Sequence, residues 1–237
     1  MSLTLHNISV NFGNLSVLDK ISMEFKTGSI SVVLGPSGCG KTTILNLLTS
    51  MVKPQSGTLS GVGDRNFSFL FQEPRLLPWL TVKSNLEFVL GKIESKEERE
   101  YLCTRFLEMT DLKDFSNWYP DKLSGGMKQR VAIARAFAHP SDIILMDEPF
   151  QALDLKLKLT LINQFVSLWK EEKRTVVLVT HDIHEAIKLA DKIFVLSEKP
   201  ASIIDTFEIN EPREKRIPGS SFYLEIESRL YRKLTDS

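Results

Sequence analysis

Ser29-Ile30-Ser31-Val32-Val33-Leu34-Gly35-Pro36-Ser37-Gly38-Cys39-Gly40-Lys41-Thr42-Thr43-Ile44-Leu45-Asn46-Leu47-Leu48 decides the fold, because three patterns meet in it. Ser29–Leu34 is a nearly continuous β-branched and apolar run, the mark of a strand buried on both faces. Ile44, Leu47, Leu48, Met51 and Val52 then fall at helical spacing, closed by Pro54 and Gly57. Between them Gly35–Thr42 fits G-x-x-x-x-G-K-[ST]. Glycines let such a loop curl so that successive backbone N–H groups face inward, where they suit phosphate oxygens. The helix that follows adds the positive end of its dipole. In such a cradle Lys41 supplies a point charge for the β- and γ-phosphates, Thr42 a hydroxyl for Mg²⁺, and Thr43 stands at the loop's end.

Outward from this stretch the chain keeps an α/β rhythm with one interruption. Leu3, Leu5, Ile8, Val10 and Phe12 alternate with polar residues, with a slip near Asn7, and so do Ile21, Met23 and Phe25. These read as antiparallel strands with one wet face. Phe67, Phe69 and Phe71 give a strand ending at Gln72. Over 73–140 strand patterns vanish: a helix carries Leu86, Val89 and Leu90, a second opens on the capping box Ser95/Glu98, and a third runs from Ser124 to before Pro140. The rhythm then returns with strand 142–147, helix 154–172, strand 175–180, helix 182–190, strand 192–197 and an edge strand at 203–209. A polar loop, 210–221, leads to a last helix at 222–234. Within 154–172 the segment Leu155–Leu159 alternates like a strand, but Leu157, Leu161, Phe165 and Leu168 continue a helical stripe. Strands alternating with helices imply a mostly parallel α/β sheet. The expected organisation is one domain over 1–237. Residues 1–72 and 141–210 form an α/β core with an N-terminal antiparallel β-subdomain, 73–140 an inserted α-helical subdomain, and 211–237 a C-terminal loop and helix.

Further chemistry collects at predicted strand ends. Ile143-Ile144-Leu145-Met146 delivers Asp147 and Glu148 to the carboxyl edge of the sheet, where ligands of open α/β folds sit. Asp147 suits Mg²⁺, through water. Glu148 suits orienting and deprotonating an attacking water, since phosphoryl transfer needs mainly positioning and charge neutralisation. Gln72 is either a neutral ligand to Mg²⁺ or the attacking water, or a plain surface glutamine. His181 ends strand 175–180, within reach of a γ-phosphate, or is simply a histidine before the helix that Asp182 and Glu185 cap.

Composition narrows the setting. Lys plus Arg and Asp plus Glu balance at 30 each, so there is no global basic field to gather nucleic acid, and none is expected as partner. Two cysteines make no disulfide framework and no metal spacing. The N-terminus shows no charged start followed by an apolar stretch, so no signal peptide is expected, and no run of about 18 apolar residues is present to span a bilayer.

With Leu123-Ser124-Gly125-Gly126-Met127-Lys128-Gln129 after the cradle, nearly the whole chain resembles the ATP-binding subunits of ABC transporters. The resemblance implies a P-loop NTPase core that binds ATP and Mg²⁺, the metal held by Thr42, Gln72 and Asp147, with Glu148, His181 and Gln72 acting in hydrolysis. It implies that Phe12 stacks on adenine, and that Gly35, Pro36, Ser37, Gly38, Cys39, Gly40, Lys41, Thr42 and Thr43 hold the phosphates. Gln72 then matches the Q-loop, Ala152-Leu153-Asp154 the D-loop and His181 the switch histidine. Ser124, Gly125, Gly126, Gln129 and Asp154 would contact nucleotide in a head-to-tail dimer of two copies. Phe71–Val82 and Asp147–Asp154 are similar to importers of nitrate, sulfonates, taurine or thiamine precursors. Gln151 stands where that family has glycine, a departure expected to touch no catalytic group. The partners so implied are integral membrane permease subunits docking near Gln72–Trp79, on the apolar Leu76, Leu77 and Trp79, and, indirectly, an extracytoplasmic solute-binding protein. The place implied is the cytoplasmic face of the cell membrane. The rival class, a soluble ABC ATPase acting on nucleic acid or ribosomes, is disfavoured by the neutral charge and the lack of inserts.

Overall fold

The computed structural model describes residues 2–63, 65–91, 93, 95–151 and 153–235. Its elements in chain order are β1 (Leu3–Phe12), β2 (Leu15–Phe25), β3 (Ile30–Leu34), α1 (Lys41–Leu48), β4 (Ser56–Ser60), β5 (Phe67–Leu70), α2 (Val82–Val89), α3 (Lys96–Met109), α4 (Gly125–Ala138), β6 (Ile143–Asp147), α5 (Leu155–Glu172), β7 (Thr175–Thr180), α6 (Ile183–Leu189), β8 (Lys192–Leu196), β9 (Ile203–Glu208) and α7 (Ser221–Thr235). They fall into two compact units, Met1–Arg65 with Lys173–Ser237, and Asn66–Glu172.

In the first unit β1 pairs antiparallel with β2 on one side and β4 on the other. The expected slip is a real irregularity: the β1–β2 register shifts between Leu5 and Ile8, and Asn7 sits at φ +50. The alternation puts Leu3, Leu5, Ile8 and Val10 inside with Leu18, Ile21, Met23 and Phe25. β4 was not expected, because Ser-Gly-Thr-Leu-Ser carries one apolar side chain and no period-2 signal, and its pairing to β1 makes it a strand. The same unit holds a parallel group in which β3, buried at all five positions, lies between β7 and β8, with β9 antiparallel on β8. The loop 210–221 is less polar in its environment than in its sequence. Arg216 is 1% exposed and donates to the carbonyls of Ile187 (3.0 Å), Ala190 (2.6 Å), Ile209 (3.3 Å) and Glu211 (2.8 Å). Burial, with Arg213 nearby, pulls its pKa down to about 10, so it stays cationic and ties the end of α6 to the C-terminal segment. From there α7 packs Tyr223, Ile226 and Leu230 inward.

In the second unit β5 pairs in parallel with β6 in the register Phe67↔Ile143 to Leu70↔Met146. β5 stops two residues short of Gln72. The three expected helices are α2, α3 and α4, each opened by a side-chain cap: Thr81 accepts from the N–H of Ser84, Ser95 from that of Glu98, and Ser124 from that of Met127. α5 is helical throughout, as the stripe Leu161, Phe165 and Leu168 requires, and Phe165 stacks on Phe137 of α4 with centroids 5.2 Å apart. Asn85 of α2 is wholly buried. Its carboxamide accepts from the N–H of Leu77 (2.9 Å) and donates to the carbonyls of Leu77, Leu80 and Thr81, which pins the loop before α2.

Candidate functional site

The first unit builds the glycine-rich loop on the carboxyl end of β3. Gly35 is closely packed, since a Cβ there would stand 3.1 Å from Leu196 Cβ and 3.0 Å from Cys39 Sγ, so a larger residue would require these neighbours to give way. Gly40 turns at φ +122 and lies against β2, where a Cβ would meet Leu18 Cδ2 at 2.9 Å and Val17 Cγ1 at 3.0 Å. Between these anchors Ser37 and Gly38 are exposed, so the lip of the loop faces solvent. Cys39 turns inward at 2% exposure, and burial pushes its thiol pKa up despite the nearby Lys41 ammonium, so it packs and does not react. The Lys41 ammonium, on a side chain only 5% exposed, donates to the carbonyls of Gly35 and Pro36, both at 2.9 Å. The cation therefore sits within the curl of the loop. α1 begins at Lys41 with Gly40 as N-cap, which has no side chain to cap the first turn; Thr42 is exposed there and Thr43 half-buried. A curled backbone, an internal ammonium and an uncapped helix start form an arrangement that accepts polyanions.

Two further predicted residues belong to this unit. Thr180 pairs with Leu34 at the shared carboxyl edge of β7 and β3, so His181, exposed just beyond, leaves the sheet at the edge from which the loop springs. The turn behind it is fixed: Thr180 Oγ1 donates to Glu185 Oε2 at 2.7 Å, and Asp182 Oδ1 accepts from the N–H of His184 (2.8 Å) and Glu185 (3.1 Å). Phe12 is 51% exposed at the tip of the β1–β2 hairpin, the same hairpin whose Val17 and Leu18 back Gly40. An aromatic ring this open is not a core residue.

The second unit carries the remaining candidates. Asp147 ends β6 at 4% exposure, and Glu148 follows at 9% with φ +46. A left-handed glutamate is strained, and such strain persists where the surroundings fix it. Gln72 lies just beyond β5, the neighbour of β6, so these three groups share one carboxyl edge. At the start of α4 Ser124 and Gly125 are exposed, and among the described residues nothing beyond its chain neighbours and its own helical turn lies within 4 Å of where a Gly125 Cβ would be; Gly126 is half-buried. Ser124 Oγ accepts from the N–H of Met127 at 3.2 Å. Gln129 is 2% exposed, and its Nε2 donates to the Pro149 carbonyl at 2.9 Å, so its amide is turned to the backbone beside Glu148. Asp154 is exposed and its Oδ1 accepts from the N–H of Leu157 at the start of α5; Ala152, of the same expected loop, lies outside the described residues.

Three contacts here have no signal in the sequence pattern. Arg135 of α4 donates to the Pro74 carbonyl at 3.0 Å, and Arg75 lies 3.9 Å over the Phe71 ring, so the segment around Gln72 is held from both sides. Gln151, expected to touch no catalytic group, does touch a candidate one: its Oε1 accepts from Gln72 Nε2 at 3.2 Å. Leu76 and Leu77 are half-buried and Trp79 is 70% exposed. Among the described residues no group of three or more His, Cys, Asp or Glu side chains forms a metal cluster, and no helix is long and apolar enough to cross a membrane.

Comparison with known proteins shows the family. The family described as ABC transporter matches residues 18–151. The nitrate import ATP-binding protein NrtD of Synechocystis is 38% identical over 219 residues, covering 89% of this chain and 82% of that protein. The aliphatic sulfonates import ATP-binding protein SsuB 1 of Agrobacterium fabrum is 36% identical over 235 residues, covering 99% of this chain and 84% of its own length. Among solved structures, a dimeric post-hydrolysis state of the ATP-binding cassette MJ0796 bound to ADP and Pi superposes with a TM-score of 0.74 at 32% identity, over 86% of this chain and all of that one.

Proposed function

The chain belongs to the ABC transporter family, as an ATP-binding subunit homologous to nitrate and sulfonate importer ATPases, and from that premise we propose that it hydrolyses ATP with Mg²⁺ to drive uptake of a small solute such as nitrate, a sulfonate, taurine or a thiamine precursor. The observation that carries the reading is the Gly35–Thr43 loop with the Lys41 ammonium held inside its curl. In this reading Lys41 exchanges the carbonyls of Gly35 and Pro36 for phosphate oxygens, and the α1 start binds the rest of the charged tail. Phe12 stacks on adenine. Glu148 orients the attacking water and takes its proton, and His181 and Gln72 bond the terminal phosphate and that water.

The donors that the family resemblance assigns to the metal suit a hard cation by their chemistry: the Thr42 hydroxyl, the Gln72 carboxamide oxygen and the Asp147 carboxylate include neither thiol nor imidazole. Bound there, Mg²⁺ would neutralise charge on the β- and γ-phosphate oxygens. Ser124, Gly125, Gly126 and Asp154 would close over the nucleotide of a second copy in a head-to-tail dimer, with Gln129 supporting that closure from inside. The whole chain, 1–237, then works as one ATPase domain at the cytoplasmic membrane face. Its partners are separate permease subunits docking at Gln72–Trp79, and through them a solute-binding protein.

The test is nucleotide binding and phosphate release by the purified chain. Hydrolysis should vanish in EDTA and return with Mg²⁺. Lys41→Ala should weaken ATP binding about tenfold to a hundredfold, the scale of losing charge-assisted hydrogen bonds. Unchanged ATP affinity in Lys41→Ala would remove the cradle from the account.

A further inference from the structure

Gln55 stands where the segment after α1 meets β1. Its backbone N–H donates to the Ser9 carbonyl at 2.9 Å. Its side chain bonds β1 again two residues further on: Oε1 accepts from the Asn11 N–H and Nε2 donates to the Asn11 carbonyl, both at 2.8 Å. A backbone N–H only donates and a carbonyl only accepts, so these two partners leave the amide a single orientation. The carboxamide thus adds a rung to the β1–β4 ladder beyond its pair Ser9 with Ser56.

Phe12 is the next residue, and the peptide plane that leads into it contains the Asn11 carbonyl that Gln55 holds. On the other side of β1, Asn11 and Phe12 lie opposite Ser16 and Leu15 of β2. That ladder is irregular just here, with a register shift between Val10 and Asn11, and Gly13 turns at φ +59 immediately beyond. The hairpin tip therefore has a broken register on one side and the Gln55 side chain on the other. Gln55 also belongs to the segment that leaves α1, the helix that opens at the phosphate loop. That segment is itself tied back, since the Asn46 carbonyl of α1 accepts from the N–H of Met51 (2.9 Å) and Val52 (3.2 Å). A nucleotide joins base and phosphates in one molecule, so a base platform fixed relative to the cradle lowers the ordering cost of binding.

We propose that Gln55 is a positioning residue for nucleotide binding, which clamps the Asn11 peptide to the segment following α1 and so holds the Phe12 ring where adenine stacks. This rests on the reading of Phe12 given above and adds the residue that sets its position. The effect is modest, because both hydrogen bonds are exposed and water replaces them when they are lost.

The experiment compares ATP with inorganic tripolyphosphate, which carries the charged tail without a base. Each is titrated with Mg²⁺ into the full chain on a Glu148→Gln background to suppress turnover, and affinity is read by isothermal titration calorimetry. Gln55→Leu and Gln55→Ala are expected to weaken ATP about twofold to tenfold, the worth of one such bond, and to leave tripolyphosphate unchanged. Added to Phe12→Ala, either variant should weaken ATP no further, because the ring it positions is already gone. Wild-type ATP affinity in both Gln55 variants overturns the proposal. So does an equal loss for ATP and tripolyphosphate, which would mark a general structural role, and so does a full additional loss in the double variant. Phe12→Ala separates the two levels. If it leaves ATP affinity unchanged, the reading of Phe12 falls and this inference with it. If it weakens ATP while the Gln55 variants do not, only the inference falls.

Discussion

Asp147 and Glu148 are adjacent carboxylates, yet the backbone places them differently. Asp147 is still in β6 and 4% exposed, while Glu148 has left the strand into the left-handed region at φ +46. That turn sends successive side chains in directions a continuing strand would not allow, which suits one acid for a metal and the other for water. Glu148→Gln keeps size and backbone but removes the base. Hydrolysis should fall about 10²-fold or more while ATP affinity stays within about twofold, the usual scale for a lost general base. Phosphate release and equilibrium nucleotide binding on the same preparation check it, and near-normal turnover would free Glu148 of the role. At this scale legibility follows sequence distance. The cradle was readable because glycines, ammonium and helix start lie within nine residues and depend on one another locally. The Gln151–Gln72 contact was not, since it joins positions 79 apart and exists only through the β5–β6 register.

Among the elements α4 does the most joining. Ser124 caps it, Gln129 grips the carbonyl after Glu148, and Arg135 grips the carbonyl of Pro74, close to Gln72. A rigid helix with two such grips would carry any shift at its exposed start to both loops together. Gln129→Leu tests the nearer grip. It leaves the buried Pro149 carbonyl without that donor, which should cost about 1–3 kcal/mol in urea unfolding, the penalty for stranding a buried acceptor. It should also lower turnover more than ATP affinity. No loss of stability would show that the amide is not needed there. The sequence displayed α4 as an apolar stripe with a serine start, because period and caps are local signals. It hid β4, whose residues are polar and which is a strand only because β1 offers an edge. It also hid the buried Arg216, whose partners include carbonyls of α6 and of Ile209 just after β9 that no pattern in 210–221 announces.

At the scale of the whole molecule, two exposed surfaces are the proposed meeting places with other chains. The exposed start of α4 is one: Ser124→Arg places a long cation where the second copy's nucleotide would dock. ATP-driven dimerisation on the Glu148→Gln background should be lost while monomer ATP binding persists, as read by size-exclusion chromatography with light scattering. The loop before α2 is the other. Trp79 is 70% exposed on a segment that the buried Asn85 fixes through four hydrogen bonds, so the ring is presented by a rigid support and not by a slack loop. Holding a large apolar ring in water on a pinned loop stabilises nothing in the isolated chain, whereas a partner that covers it gains the burial of a large aromatic surface. Trp79→Ala should therefore leave Tm and basal ATP hydrolysis near wild type, because the ring packs against little of its own subunit. In the reconstituted transporter the same variant should lose stimulation of ATPase by the permease, and uptake with it. A drop in Tm would instead give Trp79 to the subunit's own core. Normal uptake would move the permease contact elsewhere on the surface.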